Sequence, residues 1–119
     1  MALNEIRVLL AEDEPLVAML LEDALTDAGA CVLGPAMSLA HGLELAAQGP
    51  DVALLDLRLG RESAAPIADA LAALGIPFAI MSGDVGVDPL PRHGRVPSLA
   101  KPFEPDQAVR LLARMVGRG

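Results

Sequence analysis

Apolar segments of this chain end in polar side chains that could do chemistry. Burying such groups costs free energy and adds little to packing, so their repeated occurrence after apolar segments indicates a shared site. Carboxylates, a hydroxyl and an ammonium group together can hold a divalent metal ion and a phosphoryl group. The residues are Glu12 and Asp13 after IRVLLA, Asp56 after DVALL, Ser82 and Gly83 after PFAIM, and Lys101 after VPSLA.

The same residue types indicate which ligands the site would take. Carboxylates brought together repel one another at neutral pH, and a hard divalent cation, Mg²⁺ or Mn²⁺, relieves this repulsion. Lys101 adds a compact positive charge that can pair with a carboxylate or a phosphoryl oxygen. Because a carboxylate can also act as a nucleophile and form an acyl phosphate, the pattern is typical of metal-dependent phosphoryl transfer.

Apolar strand-like segments alternate with segments of helical periodicity along the chain. This alternation predicts an α/β fold, a three-layer sandwich in which a five-stranded parallel sheet carries helices on both faces. Ligands bind such sheets beyond the carboxyl ends of the strands, where the polar residues fall. We expect strands at 6–10, 31–33, 52–55, 78–81 and 96–100, and helices starting at Pro15 and after Ser38, Ser63 and Glu104.

The segment 84–95 interrupts this pattern. It contains Gly86, Pro89, Pro91 and Gly94 and has no sustained amphipathic period. Because glycine and proline both disfavour helix interiors, we expect the fourth helix of the fold to be short or lost.

Composition restricts the class of protein. A chain of 119 residues is one domain of ordinary size, and its net charge of -7 argues against a nucleic-acid surface, which needs clustered Lys and Arg. No apolar run approaches the roughly 20 residues of a membrane span, and the N-terminus lacks a secretory leader pattern. Cys31 is the only cysteine, so an internal disulfide is excluded and a cytoplasmic location is expected. We expect Cys31 to be buried, and Leu20 to lie on the buried face of the first helix.

Four segments in this order resemble the receiver domain of two-component response regulators. They are LLAEDEP at 9–15, DVALLDLRLG at 51–60, IPFAIMSGD at 76–84 and LAKPF at 99–103. The resemblance covers residues 1–119 and implies a single, stand-alone CheY-like receiver domain without an output domain. It also implies the flavodoxin-like strand order 2-1-3-4-5.

The resemblance gives the acidic residues separate roles. It implies that Asp56 is the phosphoacceptor, which takes a phosphoryl group from a histidine of a sensor kinase. Asp13 and Asp56 would bind Mg²⁺ directly, and Glu12 would act through a metal-bound water. The backbone carbonyl of Arg58 would complete the protein ligands of the metal.

The resemblance also implies a set of residues that bind the phosphoryl group. Ser82 would be the switch hydroxyl, with the backbone of Gly83 beside it. Lys101 would contact the phosphoryl oxygens, and its peptide bond to Pro102 is expected to be cis.

The chain departs from the usual family pattern at positions that transmit the signal. The aromatic switch residue, normally three positions before the lysine, is replaced by Ser98. The loop LRLGRESA after Asp56 lacks the proline and the later Asp-Gly of many members. With the broken fourth helix, these features are similar to those of alphaproteobacterial single-domain regulators, some of which act in general stress signalling.

The leading hypothesis is a single-domain response regulator that signals by phosphorylation-dependent protein binding or by phosphorelay. Its partners would be a sensor histidine kinase, a histidine phosphotransfer protein or both, with an unknown downstream protein; nucleic acid and membrane are not expected. It would be a monomer or weak homodimer, and not an enzyme beyond its own phosphorylation and dephosphorylation. The alternative is a phosphorylation-independent adaptor with a receiver fold. An aspartate-nucleophile phosphatase ranks last, because such enzymes carry a second acid where this chain has Arg58.

Overall fold

Strands and helices alternate along the chain in a computed structural model that describes residues 1–83, 90 and 93–117. A short hairpin, β4 and β5, interrupts the alternation after the third strand. In chain order the elements are β1 (Arg7–Ala11), α1 (Pro15–Asp27), β2 (Cys31–Ala36), α2 (Leu39–Ala46), β3 (Val52–Asp56), β4 (Arg58–Leu59), β5 (Glu62–Ser63), α3 (Ala65–Ala73), β6 (Phe78–Ser82), β7 (Ser98–Ala100) and α4 (Pro105–Met115).

Five of these strands form one parallel sheet. Their order is β2-β1-β3-β6-β7, and every neighbouring pair is parallel. The predicted strand order is therefore confirmed, with β6 and β7 as its fourth and fifth strands. Helices α2 and α3 pack together on one face, and α1 and α4 on the other, which gives the predicted three layers.

Two aliphatic clusters form the core, one on each face of the sheet. Side chains alternate between the faces along each strand, as the pleat requires. In β1, Leu9 faces the α2–α3 side and Leu10 faces the α1–α4 side. Residues 52–55 of β3 are all buried, as expected for a central strand covered on both faces.

Helices α2 and α4 begin at residues that the sequence identifies, whereas α3 starts at Ala65 with Ala64, not Ser63, at its N-cap. The Ser38 hydroxyl accepts a hydrogen bond from the backbone N–H of His41 at 3.2 Å and caps α2. At the start of α4, Glu104 and Gln107 form a reciprocal capping box, and Pro105 occupies the first helical position. Both predicted starts are confirmed.

Strand β2 is longer than predicted. The sequence predicts an end at residue 33, because Gly34 and Pro35 follow, but the strand continues to Ala36. Proline is tolerated here because β2 is an edge strand, so one side of its backbone needs no partner. The extension matters for the site, because the Ala36 carbonyl accepts a hydrogen bond from the Glu12 N–H at 3.0 Å.

Two expected burials are wrong. Cys31 is exposed, because it begins an edge strand that leaves one side of the sheet uncovered. Leu20 is 47% exposed, because α1 uses the narrower stripe of Ala18, Leu21 and Leu25 to contact the sheet.

The chain between β6 and β7 is described only in part. The fifth strand starts at Ser98, two residues later than expected. The predicted short or lost fourth helix falls mainly on residues 84–89, 91 and 92, which lie outside the described residues. Within the described ranges the chain has four helices.

A histidine joins this connection to α3. His93 Nε2 lies 2.7 Å from Asp69 Oδ1, and the His93 and Phe78 rings form a T-shaped contact with a centroid distance of 5.5 Å. The N–H of His93 also donates to the carbonyl of the buried Leu90. These contacts hold the turn before β7 against the core.

Replacing this histidine should destabilise the fold. We expect His93→Ala to lower the free energy of unfolding by about 1–2 kcal/mol, because it removes one hydrogen bond and one aromatic contact. Urea denaturation measures the loss. The matched variant Asp69→Asn keeps an oxygen acceptor and should cost less. An unchanged midpoint in His93→Ala would contradict the role given to these contacts.

Candidate functional site

The carboxyl ends of the central strands bring the polar residues of the sequence together. Asp56 is the last residue of β3 and pairs with Met81 of β6. Ser82 ends β6 and pairs with Ala100, directly before Lys101. Parallel strands end at one edge of the sheet, so the strand register alone places these residues side by side.

Three acids form the centre of the site. Glu12, Asp13 and Asp56 each offer a carboxylate oxygen, and these oxygens lie within 4.8 Å of one another. Glu12 is fully buried, whereas Asp13 and Asp56 are partly exposed. Oxygen donors at this spacing suit a hard divalent cation such as Mg²⁺.

Lys101 bridges two of these acids. Its Nζ donates to Glu12 Oε1 and to Asp56 Oδ2, each at 3.1 Å. Its backbone N–H donates to the Ser82 carbonyl at 2.8 Å, and its peptide bond to Pro102 is cis. Lys101 is also the only lysine of the sequence. The ammonium group therefore neutralises part of the negative charge at the strand ends.

Burial and neighbouring charges shift the pKa values of Glu12 and Lys101. Burial, and then the neighbouring Asp56, raise the pKa of Glu12 to about 7, although Lys101 acts in the opposite direction. Burial alone would lower the pKa of Lys101, but its hydrogen bonds to Glu12 and Asp56 outweigh burial and raise it. Near neutral pH the Glu12 carboxylate is thus more readily protonated than an ordinary glutamate, even with Lys101 beside it.

Asp13 is held by a residue that the sequence did not identify. Asp13 Oδ2 accepts a hydrogen bond from the backbone N–H of Gly60 at 2.7 Å. Gly60 lies between β4 and β5, a hairpin in a segment for which the sequence predicts a loop. The one feature of the sequence that indicates a turn here is the glycine in Leu-Gly-Arg. Glycine readily adopts the left-handed conformation observed at Gly60, with φ of +64°.

The remaining predicted residues lie around this centre. Ser82 is partly buried at the end of β6, and Gly83 follows it on the surface. Arg58 is in β4, with its side chain exposed. Ser98, at the position of the expected aromatic switch, is exposed at the start of β7.

An apolar groove of about 340 Å³ adjoins the site. Lys101 and Glu14 lie at its polar end, and the apolar lining residues are Val17, Leu20, Leu21, Pro102, Phe103 and Pro105.

None of the helices in the described part of the chain has the length and apolar character to cross a bilayer.

Solved structures similar to this one identify the fold independently. SdrG from Sphingomonas melonis Fr1 is 39% identical over 98% of this chain and 99% of its own, with a TM-score of 0.76. The response regulator PhyR from Brucella abortus is 25% identical over 98% of this chain, with a TM-score of 0.78; this chain spans about half of PhyR, 50%. The receiver domain of the sensor histidine kinase PA1611 from Pseudomonas aeruginosa PAO1, solved with a magnesium ion in its active site cleft, is 22% identical over 95% of this chain and 98% of its own, with a TM-score of 0.80.

Sequence comparison alone finds less. No protein-family model matches the chain, and no curated protein matches it. The identification therefore rests on the strand order, on the polar strand ends and on the identity with SdrG over nearly the whole of both chains. On these grounds, the chain belongs to the receiver domains of response regulators.

Proposed function

We propose that this protein is a single-domain response regulator that accepts a phosphoryl group on Asp56 from a phosphorylated histidine of a sensor kinase or a histidine phosphotransfer protein. One observation carries the proposal. Lys101 Nζ contacts both Asp56 and the buried Glu12, with Asp13 beside them, so a potential nucleophile, a cation and a metal-ligand set converge at one point.

The residues present fit a divalent metal ion, Mg²⁺ or Mn²⁺. We assign Asp13, Asp56 and the backbone carbonyl of Arg58 as direct ligands, and Glu12 as a ligand through water. The all-oxygen donor set and the clustered negative charge support this assignment. PA1611, a protein of the same fold, was solved with magnesium in its active site cleft. When bound, the metal would offset the charge of the carboxylates and of the transferring phosphoryl group.

The side chains of this chain would then share the reaction. An Asp56 carboxylate oxygen attacks phosphorus, an O–P bond forms, and the N–P bond to the donor histidine breaks with its electrons returning to the ring. Lys101, which contacts the Asp56 carboxylate before the reaction, would then contact the phosphoryl oxygens and stabilise the negative charge that moves onto them. Ser82 and the Gly83 N–H would donate to those oxygens. The acyl phosphate would then be hydrolysed or passed to another histidine, and no reaction on a separate small-molecule substrate belongs to this proposal.

The phosphorylated protein would act through protein contacts, either by binding a downstream partner or by passing the phosphoryl group to another histidine. The apolar groove beside Lys101 is suited to contact a partner protein. When the donor histidine reaches Asp56, the domain that carries this histidine would lie against the groove. A monomer or weak homodimer and a cytoplasmic location belong to the same proposal.

A phosphorylation-independent adaptor is the second candidate. The exposed Ser98 favours it, because no aromatic side chain at that position can report the state of the site. The two candidates differ in whether partner affinity changes when a phosphoryl mimic is bound. A pull-down with Mg²⁺, with and without beryllofluoride, separates them.

The central test is chemical modification of Asp56. Incubation with Mg²⁺ and a small phosphodonor should add one phosphoryl group to the wild-type protein, measured by intact mass. EDTA should prevent the reaction, and Asp56→Asn should abolish it because the amide is not a nucleophile. The exposed acid Asp51 offers a control, and Asp51→Asn should label normally. Labelling of Asp56→Asn at the wild-type level would overturn the proposal.

A further inference from the structure

The turn of the β4–β5 hairpin contacts the proposed metal site through one backbone amide. Gly60 N lies 2.7 Å from Asp13 Oδ2, although the two residues are 47 positions apart in the sequence. Hydrogen bonds to ionised carboxylates are shorter and about twice as strong as those between neutral groups. This contact therefore restrains one of the two carboxylate oxygens of Asp13.

The hairpin is anchored firmly enough to direct this amide. Its two strands pair antiparallel, and Leu59 is 2% exposed within the core beside α3. The Ala64 N–H donates to the Leu57 carbonyl at 2.8 Å and closes the base of the hairpin. Gly60 adopts a φ of +64°, which glycine takes without the strain that an L-residue would meet, and in this turn its N–H points to Asp13.

We propose that Gly60 is a positioning residue of the metal site: its N–H holds Oδ2 of Asp13, so that Oδ1 faces the divalent cation. This inference rests on the proposed function, since it assumes that Asp13 is a metal ligand. The same hairpin carries Arg58, whose backbone carbonyl we assign to the metal. One rigid element would thus set both the orientation of a carboxylate ligand and the position of a carbonyl ligand.

The expected effect is on metal affinity in the unphosphorylated protein. Partners that orient a metal ligand typically change affinity by about 10-fold to 100-fold when they are removed. Without the Gly60 N–H, the Asp13 carboxylate would be free to rotate. Fixing its orientation on metal binding would then cost free energy, so the affinity for Mg²⁺ would fall.

Two chemically synthesised proteins isolate the N–H group. Gly60→D-Pro keeps a positive φ but has no N–H, whereas Gly60→D-Ala keeps both. Isothermal titration with Mg²⁺ should show about 10-fold weaker binding to the D-Pro protein than to the D-Ala protein. Equal dissociation constants in the two would overturn the positioning role. Wild-type protein that binds no Mg²⁺ would overturn the metal site itself, and with it this inference.

Amide exchange provides a measurement that needs no variant. In wild-type protein followed by NMR, the Gly60 amide should be protected from exchange without metal and remain protected when Mg²⁺ saturates the site. Exchange at the rate of a free loop amide in the Mg²⁺-bound protein would overturn the proposal, because the bond would then be absent when it is needed. This readout decides the question even where the D-Pro protein does not fold.

Discussion

Lys101→Met should lower the free energy of unfolding of the metal-free protein by about 3 kcal/mol at pH 8, the lower end of the cost of removing one partner of a buried ion pair, because Glu12 is buried but the Lys101 side chain is 26% exposed. Lys101 Nζ lies 3.1 Å from carboxylate oxygens of both Glu12 and Asp56. Methionine keeps an apolar stem but removes the ammonium group, which leaves the fully buried Glu12 facing Asp56 without a cation. Denaturant titration of both proteins in EDTA measures the difference.

The pH and Mg²⁺ dependence distinguish this electrostatic cost from a loss of packing. At pH 5 Glu12 carries a proton, because its pKa is raised to about 7, so the variant should lose less stability there. Mg²⁺ at pH 8 should also recover part of the loss by supplying positive charge. In the double variant Glu12→Gln/Lys101→Met most of the loss should disappear, since the two residues interact directly. A cost that is equal at both pH values would contradict the explanation.

The sheet and the main site residues could be predicted because each carries a local signal. The apolar run of β3 identifies a central strand, and Asp56 follows from where that run ends. Once strands are parallel, their carboxyl ends meet, so Glu12 and Lys101 are expected nearby without any long-range information. The capping residues Ser38 and Glu104 mark helix starts in the same local way.

Contacts that join distant loops could not be predicted. Gly60 reaches Asp13 through a hairpin whose strands have two residues each, too short to give an alternating pattern. His93 meets Asp69 across 24 residues, from a segment rich in glycine and proline that carries no periodic signal. Pairing of this kind depends on the complete tertiary structure, whereas local sequence patterns indicate only the helix, strand or loop in which each residue lies.

The environment of Glu12 is a second feature that could not be predicted from the sequence. The sequence indicates that an acid lies at the end of β1, but it does not indicate that the acid is fully buried or that its N–H donates to the Ala36 carbonyl in the extended end of β2. Burial in turn is the main cause of the raised pKa of Glu12. The ionisation of the site therefore depends on a degree of burial that the sequence does not indicate.

Glu12→Gln should stabilise the metal-free protein at pH 8 and leave it nearly unchanged near pH 4.5. The pKa of Glu12 is raised from 4.5 to about 7 in the folded protein, first by burial and then by Asp56. Between these values the folded state keeps a proton that the unfolded chain has released, so the free energy of unfolding falls as the pH rises through this window. Glutamine does not titrate and avoids this loss. Each pKa unit corresponds to about 1.4 kcal/mol, so the gain at pH 8 should reach at most about 3.5 kcal/mol.

Thermal and denaturant unfolding in EDTA from pH 4.5 to 8 measure this gain against wild type. The exposed neighbour Glu14 provides the matched control, and Glu14→Gln should show no comparable pH-dependent gain. Mg²⁺ should reduce the advantage of Glu12→Gln, because the proposed metal site stabilises the ionised carboxylate in the wild type alone. If the variant gained the same stability at pH 4.5 as at pH 8, the benefit would come from packing, and the electrostatic account of Glu12 would be wrong.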